Sequence, residues 1–132
     1  MVLVDANVLL DIITEDRAWF VWSANKLEKA RDQRLAINPV IYAELAAGFH
    51  EEDELKELLD LGELERLALP YEAAFRAGHA FVEYRRNGGN RRSPLPDFFI
   101  GAHAELEGLT LLNRDAVRYR TYFPKVNLIT PD

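Results

Sequence analysis

Four acidic residues that are distant in sequence stand where the chain is otherwise apolar or turning. They are Asp5, Glu44, Asp97 and Asp115. A carboxylate beside a core segment costs desolvation energy unless it is paired or bound to a cation. One arrangement accounts for all four, because side chains that meet in space could hold a hard divalent cation, which prefers oxygen ligands.

Carboxylates that lie close together repel one another. At about 4 Å the cost is on the order of 1 kcal/mol per pair in water and roughly 4 kcal/mol at an effective dielectric near 20. Either one group takes up a proton through a raised pKa, or a cation neutralises the cluster. Magnesium suits the second outcome, because it binds through one or two carboxylates and keeps several waters.

Each acidic residue also has a purely structural interpretation. Asp5 is a favourable helix cap, and Glu44 could be an ordinary solvated glutamate of a helix. Asp97 after Pro96 suits the first turn of a helix, and Asp115 could simply begin a short helix. These four interpretations are independent of one another, and they do not predict the shared pattern.

The elements that must position these residues alternate along the chain. Five short apolar segments are predicted as strands: Val2–Asp5, Leu35–Ile37, Leu64–Leu69, Thr110–Leu112 and Val126–Ile129. Helical patterns are predicted over 7–13, 19–32, from Pro39 onward through Glu44, 53–61, 71–86, 96–107 and 115–119. Such alternation indicates an α/β fold with a mostly parallel sheet covered on both faces. Functional groups gather at the carboxyl ends of such strands.

The 132 residues fit one domain over 1–132 with one core. The absence of cysteine excludes disulfides and thiolate metal sites. The apolar start Val2–Val4 is too short for a membrane span and lacks the basic leader of a signal peptide. We therefore expect a soluble, cytoplasmic protein without membrane association.

Four sequence motifs of the chain resemble those of a known family. They are Val4–Asp11 (VDANVLLD), Asn38–Leu45 (NPVIYAEL), Pro96–Ala104 (PDFFIGAHA) and Leu111–Asp115 (LLNRD). Together, and in this order, they resemble PIN-domain nucleases, and among these the VapC-like toxins of type II toxin–antitoxin pairs. The resemblance covers essentially the whole chain.

The resemblance implies an endoribonuclease that depends on Mg²⁺ or Mn²⁺, with its acidic quartet at the four carboxylates. It implies a three-layer α/β/α sandwich around about five short parallel strands. It further implies a homodimer that is blocked by a cognate antitoxin protein. Asn113 stands where relatives often carry threonine or serine, and it can still hydrogen-bond a carboxylate or a water.

Within this family the expected reaction is in-line attack of an activated water on an RNA phosphodiester, leaving a 5′-phosphate and a 3′-hydroxyl. Asp5 and Asp97 are the expected metal ligands, directly or through water. Glu44 and Asp115 would complete the site through water or a second ion, or would orient the attacking water. The polar side chains expected to support these ligands are Asn7 and Asn113.

The formal charge of −6 argues against a general polyanion-binding protein. The segment 85–92 is an exception, because it carries Arg85, Arg86, Arg91 and Arg92 and no acid. These arginines could contact RNA phosphates, or they could belong to a solvated turn.

Three aromatic residues, Trp19, Phe20 and Trp22, cannot all face one core at helical spacing. One or two of them could form a surface for an antitoxin or a second subunit. The histidines 50, 79 and 103 have no zinc-site spacing and are interpreted as structural.

Two other functions compete with the ribonuclease hypothesis. One is a PIN-like module that binds RNA or metal without cleavage, and the other is a DNA-directed, structure-specific nuclease. The intact acidic quartet favours cleavage over binding alone. The short chain, without a further nucleic-acid-binding module, argues modestly against the DNA-directed function.

Overall fold

A five-stranded, all-parallel sheet forms the centre of the molecule, in the order β3-β2-β1-β4-β5. The computed structural model describes residues 1–89 and 95–131. The strands are β1 (Val2–Val4), β2 (Leu35–Ile37), β3 (Leu64–Arg66), β4 (Thr110–Leu112) and β5 (Leu128–Ile129). The chain therefore begins in the central strand and adds neighbours on both sides.

Helices cover both faces of this sheet. Val2, Leu3 and Val4 point alternately to the two faces, and all three are fully buried. Burial of every position in the central strand requires a layer on each side, and it explains why β1 is an unbroken apolar run. The three-layer α/β/α fold predicted from the sequence is confirmed.

Residues 1–89 and 95–131 contain seven α-helices, which connect or flank the strands. They are α1 (Ala6–Ile13), α2 (Phe20–Ala30), α3 (Pro39–Ala46), α4 (Glu52–Leu61), α5 (Tyr71–Arg86), α6 (Leu95–Glu107) and α7 (Val117–Tyr122). A single 3₁₀ turn at Arg31–Gln33 follows α2. Helices α1 and α3 begin directly after β1 and β2, at the capping residues Asp5 and Asn38.

Several element boundaries differ from the sequence prediction, and those of β3, β5 and α7 differ by two or three residues. Strand β3 ends at Arg66 rather than Leu69, because its partner strand β2 ends at Ile37. The Ile37 carbonyl oxygen accepts a hydrogen bond from Leu67 N–H, directly after β3. Strand β5 begins at Leu128, because Val126 N–H is bonded within a turn. Helix α7 begins at Val117 rather than Asp115.

An aromatic cluster fixes α6 against α5 and α7. The Phe98 ring lies 5.4 Å from the ring of Tyr84 and 5.9 Å from that of Phe123, between ring centroids. Phe123 packs so closely on Gly101 that a β-carbon there would overlap its ring. The cluster holds the first turn of α6, and therefore Asp97, in a fixed position.

None of the helices within residues 1–89 and 95–131 combines the length and the apolar character needed to cross a membrane.

Candidate active site

All four predicted carboxylates line one pocket of about 370 Å³. Its wall consists of Asp5, Ala6, Asn7, Leu10, Glu44, Asp97, Asn113 and Asp115. Six of these positions were singled out from the sequence as acidic or supporting residues. The fold therefore brings together groups that are far apart along the chain.

The register of the sheet places Asp5 beside Asn113. Val4 pairs with Leu112 in the parallel β1–β4 ladder, so the next residue of each strand emerges at the same edge. The Asp5 N–H continues the ladder by donating to Leu112 O at 3.0 Å. The Asn113 amide in turn donates to Asp5 Oδ2.

Asp5 is a buried carboxylate that receives only neutral donors. Its Oδ1 accepts from Ala6 N–H at 2.6 Å, which makes Asp5 the cap of α1. Its Oδ2 accepts from the Tyr119 hydroxyl at 3.0 Å as well as from Asn113. Burial raises the pKa of Asp5 despite these hydrogen bonds. Asp5 therefore caps α1 and lines the pocket at the same time.

The side chain of Glu44 is more exposed than the sequence suggested. Its apolar neighbours predicted a position on or near the inner face of α3, but Glu44 is exposed and lines the pocket from its edge. Partial burial, together with the charges of Asp5 and Asp97, raises the pKa of Glu44 to about 7.

A buried hydrogen-bond chain sets the position of α3, which carries Glu44. Asn38 Oδ1 accepts from Ile41 N–H at 3.0 Å and caps the helix. The Asn38 amide nitrogen lies 3.0 Å from His103 Nδ1, and His103 Nε2 lies 2.8 Å from Glu107 Oε2. These contacts tie α3 to α6.

Asp97 lies in the first turn of α6 and forms an ion pair with Arg118, whose Nη1 donates to Oδ2 at 2.9 Å. Burial and the charges of Asp5 and Asp115 raise the pKa of Asp97 to about 6, against the opposing effect of Arg118. The negative field of the pocket thus outweighs the nearby guanidinium.

Asn113 links two of the carboxylates. Its amide nitrogen donates to Asp5, and its carbonyl oxygen accepts from the backbone N–H of Asp115. This second bond closes a turn ahead of α7, which begins at Val117, two residues later than predicted. The supporting role expected of Asn113 therefore has a geometric basis.

The residues present fit a divalent cation. Asn7 Oδ1 is the buried side-chain polar atom within residues 1–89 and 95–131 that lacks a hydrogen-bond partner. It lines the pocket, beside carboxylates whose pKa values are raised. A hard cation would satisfy both the unpaired oxygen and the excess negative charge.

No group of three or more His, Cys, Asp or Glu side chains in the described part of the chain already has metal-coordinating geometry. A closed cage of protein ligands is not what Mg²⁺ requires, because this ion usually binds through one or two carboxylates and keeps its waters.

A second buried carboxylate, Asp11, was not singled out from the sequence. Its Oδ2 accepts from Ser23 Oγ at 2.8 Å and from Arg114 Nε at 2.7 Å. The Arg114 guanidinium also lies over the Trp19 ring, at 5.4 Å from the centroid. We call these four residues the Asp11 cluster; it joins α1 and α2 to the segment that follows β4.

The two described members of the predicted arginine cluster, Arg85 and Arg86, do not contribute to the pocket wall. Arg85 and Arg86 end α5 on an exposed surface, and Arg85 lies 5.9 Å from the Phe81 ring centroid. Arg91 and Arg92 lie outside the described residues. RNA binding by these arginines stays a prediction.

The early aromatic residues are partly buried rather than exposed. Trp19, Phe20 and Trp22 are all of intermediate exposure, and Trp19 packs edge-on against Trp22 with centroids 5.9 Å apart. The exposed apolar residue of α2 is Val21, at 78%. His103 is fully buried and bonded at both ring nitrogens, which supports its structural interpretation.

Tyr119 and Arg118 contact the acidic residues but were missed in the sequence. Burial raises the pKa of Tyr119 well above its ordinary value, so its hydroxyl remains a donor to Asp5. Neither residue has a local signal, because each reaches the pocket through the packing of α7 on α6.

Solved structures with the same fold include three bacterial complexes. VapBC2 from Rickettsia felis bound to a promoter DNA fragment has 22% identity and a TM-score of 0.75, with 100% of each chain covered. DNA-bound VapBC from Salmonella typhimurium has 20% identity and a TM-score of 0.72, covering 98% of this chain and 96% of that one. A toxin–antitoxin complex from Klebsiella pneumoniae has 22% identity and a TM-score of 0.67, covering 100% and 98%.

A comparison with curated proteins gave no match. The family model described as PIN domain matches residues 2–124. PIN domains are generally nucleases. Because the matched region contains β1 to β4 and all four pocket carboxylates, the chain belongs to the PIN domain family.

Proposed function

We propose that this protein is a cytoplasmic endoribonuclease that depends on Mg²⁺ or Mn²⁺ and acts as the toxin of a toxin–antitoxin pair. The observation that carries the proposal is the convergence of Asp5, Glu44, Asp97 and Asp115 on one pocket. Burial is the largest cause of the raised pKa at Asp5, Glu44 and Asp97, and neighbouring carboxylates raise the pKa further at Glu44 and Asp97, which is typical of a functional site.

Asp5 and Asp97 are the proposed metal ligands, because they are the more buried of the carboxylates with raised pKa values. Glu44 and Asp115 face the same pocket, where they would hold waters around the ion or orient the attacking water. Asn113 and Tyr119 fix the orientation of Asp5 through its Oδ2. Asn7 offers its free carbonyl oxygen as an additional ligand or a water acceptor.

The proposed reaction is hydrolysis of an RNA phosphodiester that leaves a 5′-phosphate and a 3′-hydroxyl. A bound divalent ion supplies charge neutralisation at the phosphate and lowers the pKa of a coordinated water. The protein contributes the fixed positions of Asp5, directly after β1, and of Asp97, in the first turn of α6.

The toxin role rests on likeness of fold to the VapBC and toxin–antitoxin complexes. By the same analogy, the protein would be held inactive by a cognate antitoxin and would form a homodimer. Expressing the chain with and without the protein of an adjacent small reading frame tests this role. Growth arrest that the adjacent protein does not relieve would contradict the pairing.

Cleavage is tested with purified protein and defined RNA in Mn²⁺, in Mg²⁺ and in excess EDTA. The expected result is cleavage that depends on the metal ion. The products should carry a 5′-phosphate and should therefore be joined by a ligase that requires this group. RNA retention without cleavage would support the binding-module alternative instead. Cutting of branched DNA in preference to RNA would support the DNA-directed alternative. Mapping cut ends in total cellular RNA after brief induction would identify the target.

A further inference from the structure

A phosphodiester must approach a pocket that is lined with carboxylates. Four acids face this pocket, and within residues 1–89 and 95–131 the residues that line it include no basic side chain. One divalent ion neutralises only part of that charge, so a protein cation at the edge of the pocket would help an anionic substrate to bind. The arginines nearest the acids are therefore candidates for a contact with the substrate.

Arg118 is the arginine that contacts a pocket carboxylate. Its Nη1 donates to Asp97 Oδ2 at 2.9 Å, and its side chain is 37% exposed. Its guanidinium also lies at 6.0 Å from the Tyr84 ring centroid. A guanidinium has five N–H donors in a plane, so one bond to a carboxylate leaves donors for a second oxyanion.

Two other arginines near the site are committed to structural contacts. Arg114 holds the buried Asp11 and stacks on Trp19, so moving it would leave a buried carboxylate unpaired. Arg76 is held by Glu105, by the Tyr122 carbonyl oxygen and by the Phe123 ring. Arg118 differs because its partner, Asp97, is itself a proposed metal ligand and is 25% exposed.

We infer that Arg118 is a substrate-binding catalytic residue that exchanges its ion pair with Asp97 for the phosphate of the scissile RNA bond. The inference rests on the proposed function. If Asp97 bound a divalent cation, its carboxylate would attract Arg118 less strongly. The Arg118 guanidinium would then be able to bind the incoming phosphate. Planar, bidentate contact with two phosphate oxygens is the geometry that a guanidinium favours.

This exchange predicts opposite effects of one substitution on metal binding and on cleavage. Arg118→Met removes a cation that competes for Asp97, so the dissociation constant for Mn²⁺ alone should fall about two- to fivefold. RNA cleavage should fall on the order of 10- to 100-fold, because a charge-assisted phosphate contact is lost. The slope of log affinity for RNA against log salt concentration should decrease by about 1.

Arg66→Met is the matched control, because Arg66 also pairs with an aspartate, Asp60, and this aspartate does not line the pocket. Titration calorimetry gives Mn²⁺ affinity, and single-turnover assays give the cleavage rate. A cleavage rate for Arg118→Met equal to that of Arg66→Met would overturn the inference. Weaker Mn²⁺ binding together with slower cleavage would also overturn it, since Arg118 would then serve only to position Asp97.

Arg118→Lys covers the case in which Arg118→Met does not fold. It should cleave several-fold more slowly than the parent, because an ammonium group cannot bind two oxygens in one plane. Parental cleavage by Arg118→Lys would overturn the inference. If the parent protein itself neither binds Mn²⁺ nor cleaves RNA, the proposed function fails. Measurements on the parent therefore separate failure of the proposed function from failure of the inference about Arg118, which requires a comparison with the variants.

Discussion

Two buried carboxylates on one helix have opposite surroundings. Asp5 caps α1 and receives hydrogen bonds only from neutral groups, whereas Asp11, within the same helix, is paired with Arg114 and Ser23. Both are almost fully buried, at 4% and 2% exposure. Burial alone therefore does not distinguish a functional acid from a structural one in this protein.

The difference lies in how the negative charge is neutralised. At Asp11 the protein supplies its own cation, so the charge is satisfied within the fold. At Asp5 it supplies none, and three further acids face the same pocket. The pocket is expected to depend on an external cation, while the Asp11 cluster is expected to depend only on folding.

The largest expected effect is that of Asp5→Asn on cleavage. Loss of a metal-binding carboxylate should reduce the rate at least about 100-fold. The fold should be retained, or slightly stabilised in EDTA, because the substitution removes a buried charge with a raised pKa. Cleavage assays and urea unfolding measure the two effects.

Asp53→Asn is the control for this substitution, since Asp53 is an exposed aspartate in the first turn of α4. It should leave cleavage at the parental rate. A folded Asp5→Asn protein that binds Mn²⁺ normally and cuts RNA as fast as the parent would refute the assignment of Asp5.

Asp11→Ala should show the reverse pattern. It leaves Arg114 and Ser23 without their shared acceptor, and we expect a loss of about 2 to 3 kcal/mol in the free energy of unfolding. The effect is below the upper range for buried pairs because Arg114 is 30% exposed and can turn to water.

Mn²⁺ affinity of the folded Asp11→Ala protein should remain close to the parental value. Adding Arg114→Met should recover part of the lost stability, because it removes the unpaired partner. Equal unfolding free energies for Asp11→Ala and Asp5→Asn would remove the contrast between the two regions.

The third prediction concerns the dependence of stability on pH in EDTA. The pKa of Glu44 rises from 4.5 to about 7 on folding, and that of Asp97 from 3.8 to about 6. As pH rises, these two carboxyl groups lose their protons in the unfolded chain before they do so in the folded one. Their contribution to the free energy of unfolding is therefore complete below the unfolded pKa values and is lost as pH rises through the folded pKa values. Stability should therefore decline between about pH 4 and pH 7.

Mn²⁺ at about 100 times its dissociation constant should restore about 2.7 kcal/mol at pH 7.5. The gain should be smaller at pH 5, where protons compete for the carboxylates. Glu44→Gln should flatten the decline in EDTA. A stability curve that rises from pH 5 to pH 7.5 without metal would contradict the excess of negative charge in the pocket.

The smallest effect is expected from Asn113→Thr. A hydroxyl can donate to Asp5 and accept from the Asp115 N–H, as the Asn113 amide does. Cleavage should stay within about tenfold of the parental rate, whereas Asn113→Ala should lose about 10- to 100-fold. Equal rates for the two variants would mean that the bridge between the carboxylates is not needed.

The sequence predicted the sheet and most helices well, because their signals are local. Short apolar runs predicted β1, β2 and β4, and the Asn38–Pro39 entry predicted the start of α3. Boundaries were wrong where tertiary partners set them. Strand β3, for example, stops where its neighbour β2 stops.

The four acids of the pocket were predictable because they interrupt or bound apolar segments. Arg118, Tyr119 and the Asp11 cluster were not, since their partners lie far away in the chain. The contact from Tyr119 to Asp5 and that from Arg114 to Asp11 join the two ends of the sequence. The spacing of residues within one segment does not predict contacts between residues so far apart in sequence.

The sequence by itself determined which residues carry charge and which segments must be buried, because side-chain type and apolar periodicity are properties of the chain. Only the tertiary structure decided which acid receives a protein cation and which is left without one. That choice depends on sheet register and on the docking of α7 against α6, which bring Arg118 to Asp97 and leave Asp5 with neutral donors.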